Sequence, residues 1–234
     1  MNILITGATK GIGRAIALKM ASLKFNMALC ARSYDDLLSL KKQLRHIHPD
    51  SKIFIKAVDC GVKEDVLAFA DEVLQELGFI DVLINNVGVF YPSPILEEDD
   101  DALLKQMNVN VFAAYYLYKK LGIAMRDAQK GIIINICSVA SKESIVNAGS
   151  YCVTKAALLS LNHIMRNELK VFGVKVTAIL PGSTLTASWG DTEIPKDTFV
   201  QPEDVAEIVN KVIDLSKGAN IDEITVQPLN FTGN

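Results

Sequence analysis

The sequence predicts a single α/β domain: a doubly wound sheet of seven parallel strands with helices on both faces. Three observations predict it. Short apolar runs alternate with amphipathic stretches of helical length along the whole chain. Most of the runs are rich in Ile and Val on both faces, which is how strands read when helices cover both sides of the sheet. No linker, repeat or low-complexity stretch divides the 234 residues, and strict alternation of strand and helix favours parallel pairing through right-handed βαβ units.

In order, the first run is Asn2-Ile3-Leu4-Ile5-Thr6, followed by a glycine-rich turn and a helix over 12–23. The second strand, 26–31, leads to a helix over 35–47. A strand over 52–58 and a helix over 63–77 make the next unit, and a strand over 81–85 is followed by one long helix over 99–128. Strand 131–137, helix 150–172 and strand 175–180 continue the pattern. Helix 203–217 and strand 223–226 complete it. One connection breaks the rhythm, the stretch 183–202 with Trp189, Gly190 and Asp191. Loops this long inside a compact domain are commonly functional. This one leaves from the C-terminal edge of the sheet, where ligands of such folds bind. It is expected to be a substrate lid.

Composition narrows the function. Hydrophobic residues at 50% and charged residues at 22% exclude disordered, collagenous and coiled-coil chains. A net charge of −3 and a pI of about 5.7 give no basic footprint for nucleic acid. No apolar run reaches the roughly 20 residues that span a bilayer. Cys30, Cys60, Cys137 and Cys152 form no Cys-x-x-Cys pair, and the short start before Gly7 is no secretory leader. Free thiols in a reducing, cytoplasmic setting are expected. His46 and His48 stand before Pro49, where a solvated helix end is the expected reading, so no metal is called for.

The turn Thr6-Gly7-Ala8-Thr9-Lys10-Gly11-Ile12-Gly13 lies between the first strand and the first helix. Glycines let the backbone approach a pyrophosphate, and the helix N-terminus presents unpaired N–H groups and a partial positive charge. The second strand ends Cys30-Ala31-Arg32-Ser33. An acidic residue there would accept from the ribose hydroxyls of NAD; Arg32 instead suits a 2′-phosphate, with Lys10 as a second cation, and NADP(H) is the expected cofactor. Asp59, through its carboxylate or the backbone beside Cys60, suits the adenine amino group. Asn85-Asn86-Val87-Gly88, at the end of the fourth strand, suits a ribose or adenine.

Tyr151 and Lys155 stand at i and i+4 on one helix face. Tyr115/Lys119 and Tyr116/Lys120 share that spacing, but only Tyr151 is preceded, thirteen residues earlier, by a serine just after a strand, Ser138. The trio fits hydride chemistry at a carbonyl or alcohol. A phenol can protonate the alkoxide, an ammonium favours the phenolate in the reverse direction, and a serine hydroxyl can orient the oxygen.

These residues together resemble the short-chain dehydrogenase/reductase family over the whole chain, in its compact single-domain, Rossmann-fold branch. The resemblance implies a cofactor turn at Thr6-Gly7-x-x-x-Gly11-x-Gly13, with Asp59 on the adenine. Asn86-Val87-Gly88 falls in the family's Asn-Asn-Ala-Gly motif, with Val87 in place of alanine. It implies a catalytic set of Asn110, Ser138, Tyr151 and Lys155, with Tyr151 and Lys155 also on the cofactor. Pro181, Gly182, Thr184 and Thr186 fall beside the nicotinamide, and Lys10 and Arg32 match the NADP-preferring branch. The substrate would be a small carbonyl or alcohol compound. Sepiapterin-type pterin reductases and 3-oxoacyl carrier-protein reductases are the closer analogies; for the former, Trp189 and Asp191 either meet a flat heterocycle or pack the lid. An NADP-sensing binding protein or a methyltransferase explains the tyrosine and serine less well. Helices 111–125 and 150–172 carry Phe112, Tyr115, Tyr116, Leu117, Leu158, Leu161 and Ile164, more apolar surface than one face on the sheet requires. A homodimer or homotetramer is expected.

Overall fold

The computed structural model describes residues 1–231; the last three residues of the predicted domain lie outside them. Seven strands form one sheet: β1 (Asn2–Thr6), β2 (Asn26–Ala31), β3 (Ile53–Ala57), β4 (Val82–Asn85), β5 (Gly131–Ile136), β6 (Val174–Pro181) and β7 (Glu223–Val226). Their order is β3-β2-β1-β4-β5-β6-β7 and every pairing is parallel. The order reverses between β1 and β4, so the crevice of a doubly wound sheet opens at the C-terminal ends of these two strands.

The alternation of side chains along each strand builds two cores. Ile3, Ile5, Leu29 and Ile84 face α1 (Gly11–Ser22), α2 (Tyr34–Ile47) and, further along the sheet, α7 (Pro202–Asp214), through Ile16, Met20, Leu37 and Val209. Leu4, Ala28, Leu83 and Val176 face the opposite layer, α3 (Lys63–Leu77), α5 (Ala113–Asp127) and α6 (Gly149–Leu169), through Phe69, Val73, Leu121 and Met165. Most of these side chains are fully buried. At roughly 1.5–3 kcal/mol for each buried large aliphatic or aromatic side chain, these two interfaces dominate the stability of the sheet.

The structure corrects the expected long helix over 99–128. It consists of α4 (Ala102–Met107), a π-helical turn (Asn108–Phe112) and then α5. A single wide turn leaves the hydrophobic period nearly intact on either side, so periodicity does not reveal it; such turns cluster at functional positions. A second long connection follows β4, residues 86–101, where the sequence reading marks only the one after β6. Strand and helix ends elsewhere shift by a residue or two, except that α7 ends three residues early and the helix expected over 150–172 ends at Leu169, with Lys170–Phe172 as a 3-10 turn.

The long connection expected over 183–202 runs from Gly182 to Gln201, because β6 ends at Pro181 and α7 starts at Pro202. It is tied down: Val200 N–H donates to Ser183 O at 3.0 Å and Leu185 N–H to Val200 O at 2.9 Å. Trp189, Phe199 and Phe231 meet edge to face with centroids 4.9–5.6 Å apart, joining the lid to the end of the described chain. Of the residues expected to supply an association surface, Leu117 and Leu158 belong to the internal core instead, because they point from α5 and α6 towards the sheet. Tyr115 and Ile164 are exposed; Phe112, Tyr116 and Leu161 are partly buried.

Candidate active site

A cleft of about 1160 Å³ lies along the C-terminal ends of β1, β2, β4, β5 and β6. Single-ligand pockets run to roughly 300–1,000 Å³, so this one has room for more than one small molecule. Its floor is the glycine-rich turn. Gly7 has φ +65°, a conformation that L side chains rarely adopt, and a Cβ there would sit 3.1 Å from both the Asn86 side chain and the Val87 backbone. Gly13, inside α1, packs directly on the Gly7 carbonyl. Thr6 is fully buried; its hydroxyl accepts from the N–H groups of Asn86 and Val87, both at 3.0 Å. Asn86 in turn donates to the carbonyls of Thr6 (2.8 Å) and Gly7 (3.1 Å). The expected ligand-binding turns after β1 and β4 are therefore one hydrogen-bonded unit.

The first turn of α1 has no acidic residue, and Lys10 caps it with no side-chain hydrogen bond. Its N–H groups and dipole face the cleft uncompensated, as an anion site requires. Lys10, Arg32, Ser33, Asp59 and Cys60 line the same end. Among the described residues neither Lys10 nor Arg32 is in a salt bridge, so both cations are free for a ligand. This arrangement fits a dinucleotide: an uncapped helix start for the pyrophosphate, two cations for a further phosphate and Asp59 beyond them. Thr9, Gly11, Ile12, Asn86, Val87 and Gly88 also line the cleft.

At the other end stand Ser138, Tyr151 and Lys155. Ser138 follows β5 and caps a short turn; its Oγ accepts from Ala140 N–H at 3.1 Å. Among the described residues nothing accepts its hydroxyl proton, which is left to donate into the cleft. Lys155 is only 3% exposed, and its Nζ donates to Ile136 O at 2.9 Å. That Nζ lies 5.7 Å from the centroid of the Tyr151 ring. The Tyr151 ring also meets that of Phe90, with centroids 4.9 Å apart. Cys137, between β5 and Ser138, is inert: burial pushes its thiol up to about 12, against the pull of the Lys155 charge. Cys30 is likewise held protonated, by a hydrogen bond with Cys60 and then by burial.

Asn110 is placed differently from the other three expected catalytic residues. It is buried in the π-helical turn and does not line the cleft. Its Oδ1 accepts from Val89 N–H at 2.8 Å, and its Nδ2 donates to Val89 O at 3.0 Å and to Thr154 Oγ1 at 2.9 Å. Thr154 Oγ1 donates to Tyr151 O at 2.8 Å. The side chain of Asn110 thus staples the loop after Gly88 to the helix carrying Tyr151.

Pro181, Gly182, Thr184 and Thr186 complete the wall. The Thr186 methyl comes so near the glycine turn that a Cβ on Gly11 would sit 2.9 Å from it. Sequence reasoning marked Asn86, Val87 and Gly88 but missed the rest of this loop, residues 89–98. Its Glu98 carboxylate accepts from Ser150 Oγ and, at 3.4 Å, from Ser150 N–H, and Ser93 N–H donates to Asn147 O at 2.9 Å. The loop is latched to the start of α6, one residue before Tyr151. The signal that could have found it was the exposed apolar stretch from Phe90 to Leu96, which fits neither a strand nor a helix face.

The comparisons with known proteins agree with this geometry. The model of the short chain dehydrogenase family matches residues 1–196. An uncharacterised oxidoreductase of Staphylococcus saprophyticus is 30% identical over 226 residues, covering 97% of this chain and 96% of the relative. An alcohol dehydrogenase from the archaeon Thermococcus sibiricus, solved with 5-hydroxy-NADP, superposes with a TM-score of 0.90 at 26% identity, covering 97% of this chain and 96% of that one. A metagenomic short-chain oxidoreductase solved with NADP gives 0.85 at 29% identity, over 98% and 97%. With the sheet order, the glycine turn and the Ser138-Tyr151-Lys155 wall in one cleft, the conclusion is that this chain belongs to the short-chain dehydrogenase/reductase family.

Proposed function

We propose that this chain is an NADP(H)-dependent oxidoreductase that interconverts a carbonyl and an alcohol on a small substrate. The observation that carries the reading is the single cleft with the free Ser138 hydroxyl, Tyr151 and buried Lys155 at one end and the uncapped α1 with Lys10 and Arg32 at the other. Bound NADPH supplies hydride to the carbonyl carbon. Ser138 Oγ–H donates to the carbonyl oxygen and orients it. Tyr151 donates its phenolic proton to that oxygen as the alkoxide develops, which completes the alcohol. Lys155, its Nζ fixed by the Ile136 carbonyl, stabilises the tyrosinate left behind. Asn110 acts through Thr154 and Val89 and is a positioning residue. Pro181, Gly182, Thr184 and Thr186 close the wall where the nicotinamide would lie, and the lid 183–201 covers the substrate. Arg32 and Lys10 favour NADPH over NADH, and the two relatives solved with an NADP species support that preference.

The test is NADPH oxidation, followed by absorbance, with a panel of ketones, aldehydes and pterins. Turnover with at least one carbonyl compound, and its reversal with the product alcohol and NADP⁺, is the expected result. Tight NADPH binding with no oxidation across the panel would contradict the enzyme reading and favour a sensor of NADP.

A further inference from the structure

The substrate end of the cleft is apolar and carries no charge to spare. Phe90, Tyr91, Ile145, Val146, Trp189 and Phe231 line it. They come from three separate segments: the loop latched to α6, the turn before α6, and the lid with the end of the described chain. Several are exposed: Val146 is 86% exposed, Phe90 45% and Ile145 43%. They stand beside the reacting groups, since the Phe90 ring touches the Tyr151 ring.

Among the described residues six charged side chains line the whole cleft: Lys10, Arg32, Asp36, Asp59, Lys105 and Lys155. Four of them stand at the dinucleotide end, Lys10, Arg32, Asp36 and Asp59. Lys155 is buried and engaged by Ile136. Lys105 is paired with Asp101 at 2.8 Å. A substrate carboxylate or phosphate entering past Phe90 and Val146 would lose water and gain at most the half-exposed Lys105, whose charge Asp101 already balances. A substrate with an apolar body would instead cover exposed aliphatic and aromatic surface, which is favourable in proportion to the area removed from water.

We propose that the substrate is a neutral ketone or aldehyde with an extended apolar body, aliphatic or aromatic, whose tail lies between Phe90 and Val146. This rests on the carbonyl-reductase reading above and names the substrate class for that same site.

The experiment compares kcat/KM of the full chain with NADPH for straight-chain methyl ketones from butanone to octanone, an aryl alkyl ketone, and the octanone bearing a terminal carboxylate. The expected result is a rise of roughly two- to fourfold per added methylene, with the carboxylate lowering kcat/KM at least about tenfold against its parent. In Val146→Lys that penalty should shrink or invert, because a cation then meets the carboxylate. A flat series, or a carboxylated ketone turned over as well as its parent by the native chain, overturns the apolar class and leaves hydride transfer standing. Oxidation of NADPH by none of them overturns the apolar class, while turnover or its absence across the wider panel above decides hydride transfer separately.

Discussion

In the proposed function, Arg32 and Lys10 choose between two cofactors that differ by one phosphate. Both line the cleft beside the uncapped start of α1, and among the described residues neither is in a salt bridge. A charge-assisted hydrogen bond contributes about 1.5–3 kcal/mol, and the guanidinium offers a planar fork that a lysine lacks. Arg32→Asp is therefore expected to weaken NADPH binding by one to two decades and to move preference towards NADH. Neutralising Lys10 as well should carry the shift further. Dissociation constants for both cofactors, at fixed salt, check this; equal affinities in the native chain would contradict it. At this scale the sequence was informative where chemistry needs a particular side chain at a particular place: Arg32 and Ser138 after strands β2 and β5, and Tyr151 on α6, all line the cleft. It was silent on Phe90 and Val146, because an apolar residue in a loop reads the same whether it meets solvent, a neighbour or a substrate.

The elements around Tyr151 hold it by polar contacts rather than by packing alone. The π-helical turn brings Asn110 inward, where its amide satisfies both backbone groups of Val89 and reaches Thr154. Removing that amide orphans buried donors and acceptors, at roughly 1–3 kcal/mol each. Asn110→Ala should cost about 3 kcal/mol of stability. It should also lower kcat, because the loop after Gly88 and the helix of Tyr151 lose their common tie. Urea unfolding and steady-state kinetics test the two halves; an unaltered kcat in a destabilised variant would make Asn110 purely structural. The strand pattern and sheet layers were legible because alternation of Ile3, Leu4 and Ile5 matches two covered faces. The turn at Asn110 was not, since residues 99–128 keep a helical period across the interruption. The second long loop was not singled out either, because its anchor, Glu98 on Ser150, is a contact between segments far apart in sequence.

For the molecule as a whole, the two helices expected to associate keep only part of their apolar surface outside. Leu117 and Leu158 are internal, but Tyr115, Ile123, Val153 and Ile164 are each 40–51% exposed on α5 and α6. A face of this kind favours closed, symmetric pairing. Light scattering is expected to give a multiple of 25.6 kDa, and a monomer at working concentration would reject it. The proposed function requires Tyr151 to deliver a proton to a carbonyl oxygen beside bound NADPH. The most direct measurement is single-turnover NADPH oxidation by the native chain and by Tyr151→Phe, together with NADPH affinity for each. The expected result is a rate lowered by about 10²–10⁴-fold with affinity nearly unaltered, because the ring remains and only the proton donor is lost. A variant that kept a third of the native single-turnover rate would contradict it.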